Sequence, residues 1–356
     1  MAPLMNYNIK DFDVLIGIDV SARTYSVNTR THYMINKTLT MPAKPEYLGN
    51  YISKMYTNKR VICAYEAGPT GFGLYDHLSE RGISCILISP SSLPKPANAR
   101  VKTNRIDAEM IGKFLKNGDA KPIRVPDDAY RGLRELVRAR ETYARARKIS
   151  KQRIKSLLLA QSLHHTIQDP DKNWSERYFN QLKNLECTDA VRQRLSFLLE
   201  DLTYARAQNA KVLKELRAYC AGHHDIQRFI GYLSSIPGIA FITASSILGN
   251  IGDPVLLRNP QELGGFIGLV PTESSTGDNI RKGSITHLGN AALRSLLIEA
   301  AWTTIRHDTR LCQFYHRIRL RHPPGAGSQK AIVAVARKLT MIIYRVLKDE
   351  RDYIPY

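Results

Sequence analysis

The sequence predicts a mixed α/β domain over residues 1–125, a helical coiled-coil region over 126–225 and a mainly α-helical domain over 226–356. Three observations carry this reading. Short apolar runs alternate with amphipathic stretches in the first third. From Asp127 to about Ser162, leucine and isoleucine recur at helical spacing among many arginines. Beyond residue 225, apolar helical stretches are punctuated by Pro-Gly and polar turns.

Val14–Asp19 reads as a buried strand, and Tyr25–Arg30 and His32–Thr40 as two more around a tight turn. Pro45–Met55 reads as a helix with proline near its start. Val61–Glu66 is a second buried strand, Gly71–Arg81 a helix closed by Gly82, and Ile83–Ser89 a third buried strand stopped by Pro90. Strands with helices between them imply a three-layer α/β domain. After a Pro- and Ser-rich loop, a helix runs from about Asn104 through Leu115, with Asn104 and Asp107 on one face of its first turn. The Asp127–Ser162 helix and a second run, Val191–Leu216, form a hairpin or an oligomerising coiled coil, and the segment between them is irregular. Ile236-Pro237-Gly238-Ile239 lies in a helix, Pro-Gly turn, helix pattern that resembles a helix-hairpin-helix and offers backbone N–H groups to phosphate. A polar loop spans 272–283, and a basic loop containing Arg317, Arg319, Arg321 and Lys330 separates the last two helices.

At 356 residues the chain is long enough for two or three cored domains. Lys plus Arg number 52 against 32 Asp plus Glu, a net charge of +20, which calls for a polyanionic partner. Ten of these cations lie in the Asp127–Ser162 stretch, between Arg131 and Lys155, facing only Glu135 and Glu141. The five cysteines are odd in number and widely spaced, so neither a disulfide framework nor a zinc site is expected, and a reducing cytoplasm fits. No signal-peptide core and no bilayer-length apolar run is read from the sequence.

Asp19 and Glu66 close apolar strands, and Asp107 comes from a helix that would cross the same sheet edge. Carboxylates gathered at one edge repel unless a cation lies between them, and oxygen-only ligands favour Mg²⁺ or Mn²⁺. With the basic charge, such a cluster points to metal-assisted phosphodiester chemistry. Thr272-Glu273-Ser274-Ser275-Thr276-Gly277 precedes Arg281-Lys282. The bland reading of this segment is a turn; the sharper one is a hydroxyl nucleophile flanked by cations.

Gly17-Ile18-Asp19, Tyr65-Glu66-Ala67, the 102–108 block, Ile236-Pro237-Gly238-Ile239 and Gly268-Leu269-Val270-Pro271 followed by Ser-Thr-Gly occur in one order along nearly the whole chain. Together they resemble the DEDD-type transposases of bacterial insertion sequences, which are bridge-RNA-guided serine recombinases. The resemblance implies a RuvC-like N-terminal domain of RNase H type, a coiled-coil region and a C-terminal transposase domain bearing a serine. It also implies an acidic tetrad that binds Mg²⁺, a serine that forms a 5′-phosphoserine intermediate, target and donor double-stranded DNA, a structured bridge RNA, and a homotetramer. Asp19, Glu66 and Asp107 match the first, second and fourth acids. Asn104 stands where the third is aspartate, and its amide oxygen can ligate Mg²⁺ without adding charge. Glu109 falls on another helix face. Ser275 matches the serine, with Thr276 the alternative register and Ser274 behind both. Two other functions compete with the recombinase: a water-using nuclease of Holliday-junction-resolvase type, and an inactive nucleic-acid-binding relative.

Overall fold

A computed structural model of the chain describes residues 7–90, 93, 103–168, 173–273, 282–286, 288–323 and 326–355. The chain divides into two compact units, Met1–Val125 and Pro126–Tyr356.

The first unit is built on a five-stranded mixed sheet. Its strands are β1 (Val14–Val20), β2 (Thr24–Arg30), β3 (Ile35–Pro42), β4 (Val61–Glu66) and β5 (Ser84–Ile88), in the order β3-β2-β1-β4-β5. β1 pairs antiparallel with β2 and parallel with β4, and β4 pairs parallel with β5. The central strands are buried on both faces, which explains their continuous apolar runs. One face carries Ile16, Ile18, Cys63, Tyr65 and Leu87 against α1 (Pro45–Met55) and α2 (Gly73–Glu80). The other carries Leu15, Ile62, Ala64 and Ile88 against α3 (Asn104–Lys116), which buries Ile111 and Leu115. Each such side chain contributes about 1.5–3 kcal/mol by leaving water. Helices on both faces make the three-layer domain. Element boundaries shift slightly from the sequence reading: α2 begins at Gly73 rather than Gly71, and Gly82 takes the left-handed conformation (φ +72°) that ends it.

One contact fixes α3 on the sheet. A Cβ on Gly17 would lie 2.6 Å from Gly112 Cα and collide with Gly112 N and Ala108 O. Backbone therefore packs on backbone where helix and strand cross, which only glycine permits. Beside this crossing, buried Arg30 donates to Asn28 Oδ1 from Nε (2.8 Å) and from Nη2 (2.6 Å), and to Glu109 O (3.0 Å). Burial lowers the pKa of its guanidinium, and the Glu109 charge opposes that shift.

The second unit opens with α4 (Asp128–Ala160), paired antiparallel with α6 (Asp189–Ala221). Each has 33 residues, so the pair extends about 50 Å. Near one end, Tyr219 packs on Gly132 and donates its hydroxyl to Ala129 O at 2.9 Å. At the other, Ile154, Leu157, Leu195 and Leu199 enclose Trp174, Tyr178 and Phe179. The segment between the long helices is thus not merely irregular. It holds α5 (Glu176–Lys183), whose apolar face completes a small core that the sequence periodicity of α4 and α6 alone does not reveal. The middle of the pair is polar, and Glu141 Oε1 and Asn209 Oδ1 are buried there without hydrogen-bond partners.

Helices α7 (His224–Ser234), α8 (Phe241–Ile251), α9 (Pro260–Ile267), α10 (Ala291–His307), α11 (Thr309–Arg319) and α12 (Ala326–Asp349) share one core with the near end of α4 and α6. Tyr130, Leu133 and Leu216 belong to it, so residues 126–225 and 226–356 fall in the same unit. Two sequence expectations need correction here. The supposed basic loop is largely helical: Arg317 and Arg319 lie on α11 and Lys330 on α12, because Asp308 caps α11 by accepting from Leu311 N at 2.8 Å. The supposed polar loop begins and ends in a hairpin, β6 (Pro271–Glu273) with β7 (Lys282–Ile285), stitched by Thr272 Oγ1 donating to Ser284 O.

Gly17→Ala is expected to lower unfolding stability by about 3 kcal/mol, read from the urea midpoint, because two backbone segments must part. Desolvation raises the pKa of Glu141 despite nearby Arg140, Arg145 and Arg138. The folded state then holds this proton more tightly than the unfolded state, so its contribution weakens as pH rises through the unfolded and then the folded pKa. Glu141→Gln should therefore stabilise the protein at neutral pH, with the gain vanishing below the ordinary glutamate range. Equal melting shifts at both pH values would contradict this.

Candidate active site

Asp19 is the penultimate residue of β1 and Glu66 the last of β4. Ile18 pairs with Tyr65 in the parallel register, so Asp19 and Glu66 are the next residues of neighbouring strands. Side chains alternate along a strand, which places both acids on the face of Leu15, Gly17, Ile62 and Ala64, the face covered by α3. Both are half-buried.

The direction of α3 follows from its contacts. Leu115 clusters with Leu15, while Ala108 and Gly112 lie at Gly17. Moving up β1 toward Asp19 thus means moving back along α3 toward its N-terminus. Asp19 lies about 6.6 Å beyond Gly17. Asp107 lies about 4.5 Å beyond the midpoint of Ala108 and Gly112, and Asn104 about 9 Å beyond it. Asp107 therefore comes nearly level with Asp19, and Asn104 projects past the strand end. Asp107 is accordingly half-buried and Asn104 exposed. Thr103 starts the helix by accepting from Ile106 N at 3.3 Å. Glu109 points elsewhere, accepting from Thr38 Oγ1 at 2.9 Å beside β3.

The elements that carry these three carboxylates thus converge on one sheet edge, and carboxylate oxygens are the ligands a hard divalent cation takes. Among the described residues no three Asp, Glu, His or Cys side chains already stand together as a metal shell. Asp19 and Asp107 are each engaged within the chain.

In the second unit, Ser275, Thr276 and Ser274 lie outside the described residues, but the ends of their loop are described. Gly268 (φ +79°) approaches Leu288 O and Arg294 Nη1 so closely that a Cβ there would clash. Arg294 Nη1 donates to Ile267 O (3.0 Å) and Leu288 O (3.2 Å). Asn290 N donates to Phe266 O (3.0 Å), and Asn290 Nδ2 donates to Asn250 Oδ1 (2.7 Å). These bonds pinch together the chain entering β6 and the chain leaving β7. Sequence reasoning missed Arg294 and Asn290, since an arginine and an N-cap asparagine on a helix carry no separate signal. The Pro-Gly turn before α8 is packed rather than open on one side: Thr304 Oγ1 donates to Pro237 O at 2.6 Å, and Gly238 (φ +90°) abuts α10.

The arginines of α4 divide into two sets. Arg131 Nε donates to Pro126 O at 2.7 Å. Arg134 caps the C-terminus of α8, donating to Gly249 O (2.9 Å) and Asn250 O (3.0 Å), and its burial lowers its pKa. These two hold the unit together. Arg147, Lys148, Lys151 and Lys155 instead line an outer groove of about 420 Å³ closed by Trp174, over which Lys151 Nζ lies at 5.3 Å. No helix among the described residues is long and apolar enough to cross a membrane.

Comparison with known proteins accounts for both units. Residues 16–162 match a DEDD-type transposase family, and residues 231–316 match the family described as Transposase IS116/IS110/IS902. A putative transposase, y4qE, from Sinorhizobium fredii is 30% identical over 319 residues, covering 83% of this chain and 77% of the relative. The transposase of insertion sequence element IS1111A from Coxiella burnetii is 26% identical, with 85% and 82% covered. That of IS1533 from Leptospira borgpetersenii is 23% identical, with 94% and 96% covered. With Asp19 and Glu66 on neighbouring strands of an α/β sheet and both halves of the chain matched, this protein belongs to the IS116/IS110/IS902 family of transposases, enzymes that act on DNA.

Proposed function

We propose that this transposase cuts and rejoins double-stranded DNA through a Ser275 nucleophile assisted by Mg²⁺, with a structured RNA selecting target and donor. The observation that carries the reading is the adjacency of Asp19 and Glu66 on neighbouring parallel strands, with Asp107 brought level by α3. Asp19, Glu66 and Asp107 would hold the cation, Asn104 adding a neutral oxygen at the rim. The cation supplies charge neutralisation for phosphate and polarises the scissile bond.

The chain's own residues account for the covalent step. The Ser275 hydroxyl loses its proton to solvent as its oxygen forms a bond to phosphorus. The bond from phosphorus to the 3′-oxygen breaks, and that oxygen takes up a proton. The DNA is left with a 3′-hydroxyl and a 5′-phosphoserine. Rejoining reverses this with a different 3′-hydroxyl and restores the serine. Arg294 and Asn290 tie the chain before β6 to the chain after β7, on either side of the segment that contains Ser275 in sequence. The acids and the serine come from separate units, and the reading takes the working form as a tetramer of three-part protomers: residues 1–125 RuvC-like, 126–225 a coiled-coil oligomerisation region, and 226–356 the transposase domain. Selection by base pairing leaves the protein to bind backbone and shape, which suits a +20 chain.

The decisive experiment incubates protein, bridge RNA and donor and target duplexes with Mg²⁺ and resolves the products on a denaturing gel. A covalent protein–DNA species is expected, lost in Ser275→Ala. Asp19→Asn and Glu66→Gln should each reduce exchange by at least about 100-fold while duplex binding persists. Free ends without any adduct would replace the recombinase with a water-using nuclease.

The groove on α4 generates a second prediction, measured by anisotropy on labelled duplex across salt concentrations. Lys148→Met and Lys155→Met should each reduce the salt slope by about 1. Arg134→Met should leave the slope unchanged and lower folding stability by about 2 kcal/mol through lost charged hydrogen bonds.

A further inference from the structure

A cavity of about 490 Å³ lies between α11, α12 and the C-terminal residues Arg351–Ile354. It is remote in sequence from the acids and from the serine loop. Its floor is apolar: Leu311 and Phe314 from α11, Met341, Ile342 and Val346 from α12. Met341 is 46% exposed and Ile354 63%, so both can be reached from solvent. The C-terminal residues form a fixed wall, because Tyr353 N donates to Ser235 Oγ at 2.7 Å and the Tyr353 hydroxyl donates to Asp308.

Charge at the mouth is asymmetric. Arg310, Lys338, Arg345 and Arg351 line it, with Asp308, Asp349 and Asp352. Two of the acids are spent within the protein. Asp308 is buried, capping α11 and accepting from Tyr353, and Asp349 Oδ2 accepts from Arg351 at 3.0 Å. Arg310 is engaged within the protein as well, which leaves Lys338 and Arg345 against Asp352. Lys338 and Arg345 stand two turns apart on α12, about 10 Å along its axis. Lys338 Nζ is held 5.2 Å from the Phe314 ring centroid, and Arg317 reaches the same ring at 5.4 Å. Cations therefore ring an apolar hole that is large enough for one heterocyclic base. A small apolar metabolite would not need the cations, and duplex DNA, with its bases stacked inside, could not use the hole.

We propose that this cavity receives one unpaired base of a nucleic-acid strand, with the phosphates on either side resting on Lys338 and Arg345. The base lies against Met341, Ile342 and the Tyr353–Ile354 wall, and the strand's charge meets the rim. Apolar walls accept any base, so the pocket registers that a nucleotide is unpaired rather than which nucleotide it is. The inference rests on the family's action on DNA and needs neither Ser275 nor the metal. It supplies a way for the enzyme to hold a strand open while base pairing is exchanged.

The test uses the full-length protein and two single-stranded probes of equal length, one DNA containing 4-thiothymidine and one RNA containing 4-thiouridine, each at a single central position. A duplex carrying the same thio-base in a pair is the control. After irradiation, the cross-linked peptide is identified by mass spectrometry. We expect adducts within residues 308–320 or 338–354 for an unpaired probe and not for the duplex. Cross-linking with DNA alone, RNA alone or both identifies the source of the strand. Met341→Trp, which fills the hole and keeps the charge, should reduce the adduct about tenfold while duplex binding and the far-ultraviolet spectrum stay unchanged. Lys338→Glu with Arg345→Glu should do the same without touching the floor. Adducts that map elsewhere, or that survive both variants, would overturn the pocket. Loss of all duplex binding by the wild-type chain would instead count against the nucleic-acid reading of the protein.

Discussion

The backbone contact at Gly17, Ala108 and Gly112 governs the arrangement of the first unit. Parallel strands can bring two carboxylates side by side without help from any helix. The third must come from outside the sheet, and its position depends on how closely that helix lies. Any side chain at Gly17 would lift α3 and carry Asp107 away from Asp19. The cluster is therefore held by an absence of atoms, compensated by apolar burial further along α3 at Ile111 and Leu115. The same crossing explains the buried Arg30. Its guanidinium lies beside Gly112, bonding Asn28 and the Glu109 carbonyl, and so ties helix to strand on the side away from the acids.

The excess positive charge is used in two ways that composition cannot separate. Arg134 satisfies carbonyls at the end of α8 and is unavailable to a phosphate, whereas Lys148 and Lys155 face an open groove. The two kinds separate along one helix because one end of α4 enters the large core and the other bears only the small core around Trp174. Buried arginines join elements through directed donors, while exposed lysines add a field that salt can screen.

Much of the first unit is legible in the sequence because its strands are buried on both faces and therefore appear as uninterrupted apolar runs. β1, β4 and β5 are found this way, and Asp19 and Glu66 stand out as polar ends of apolar segments. Asp107 and Asn104 are legible as an i, i+3 pair, but their unequal exposure depends on the crossing point of α3, which two glycines set and no periodicity reports. The second unit is harder to read. α11 is hidden because its arginines mimic a loop and its start depends on a buried cap at Asp308. α5 is hidden because its apolar face has meaning only against α4 and α6. The β6–β7 hairpin is too short to show alternation, and its anchoring by Arg294 and Asn290 is a matter of tertiary hydrogen bonds.

The asparagine at position 104 bears directly on how such a site would work. Four carboxylates at one rim repel strongly when no cation is present, and three repel less. Asn104 also lies furthest from the crossing and most exposed, where a charge would be best hydrated and would contribute least to a shell. Mg²⁺ commonly takes only one or two protein carboxylates and completes its coordination with substrate phosphates. A rim with three separated acids, Asp19 and Asp107 of them engaged within the protein, suits that mode better than a closed cage. Under the proposed function, phosphate would then supply the charge that Asn104 lacks, and cation and DNA would bind each more tightly in the presence of the other. On that proposal, the departure from four acids would strengthen this mutual dependence and leave the chemistry unchanged.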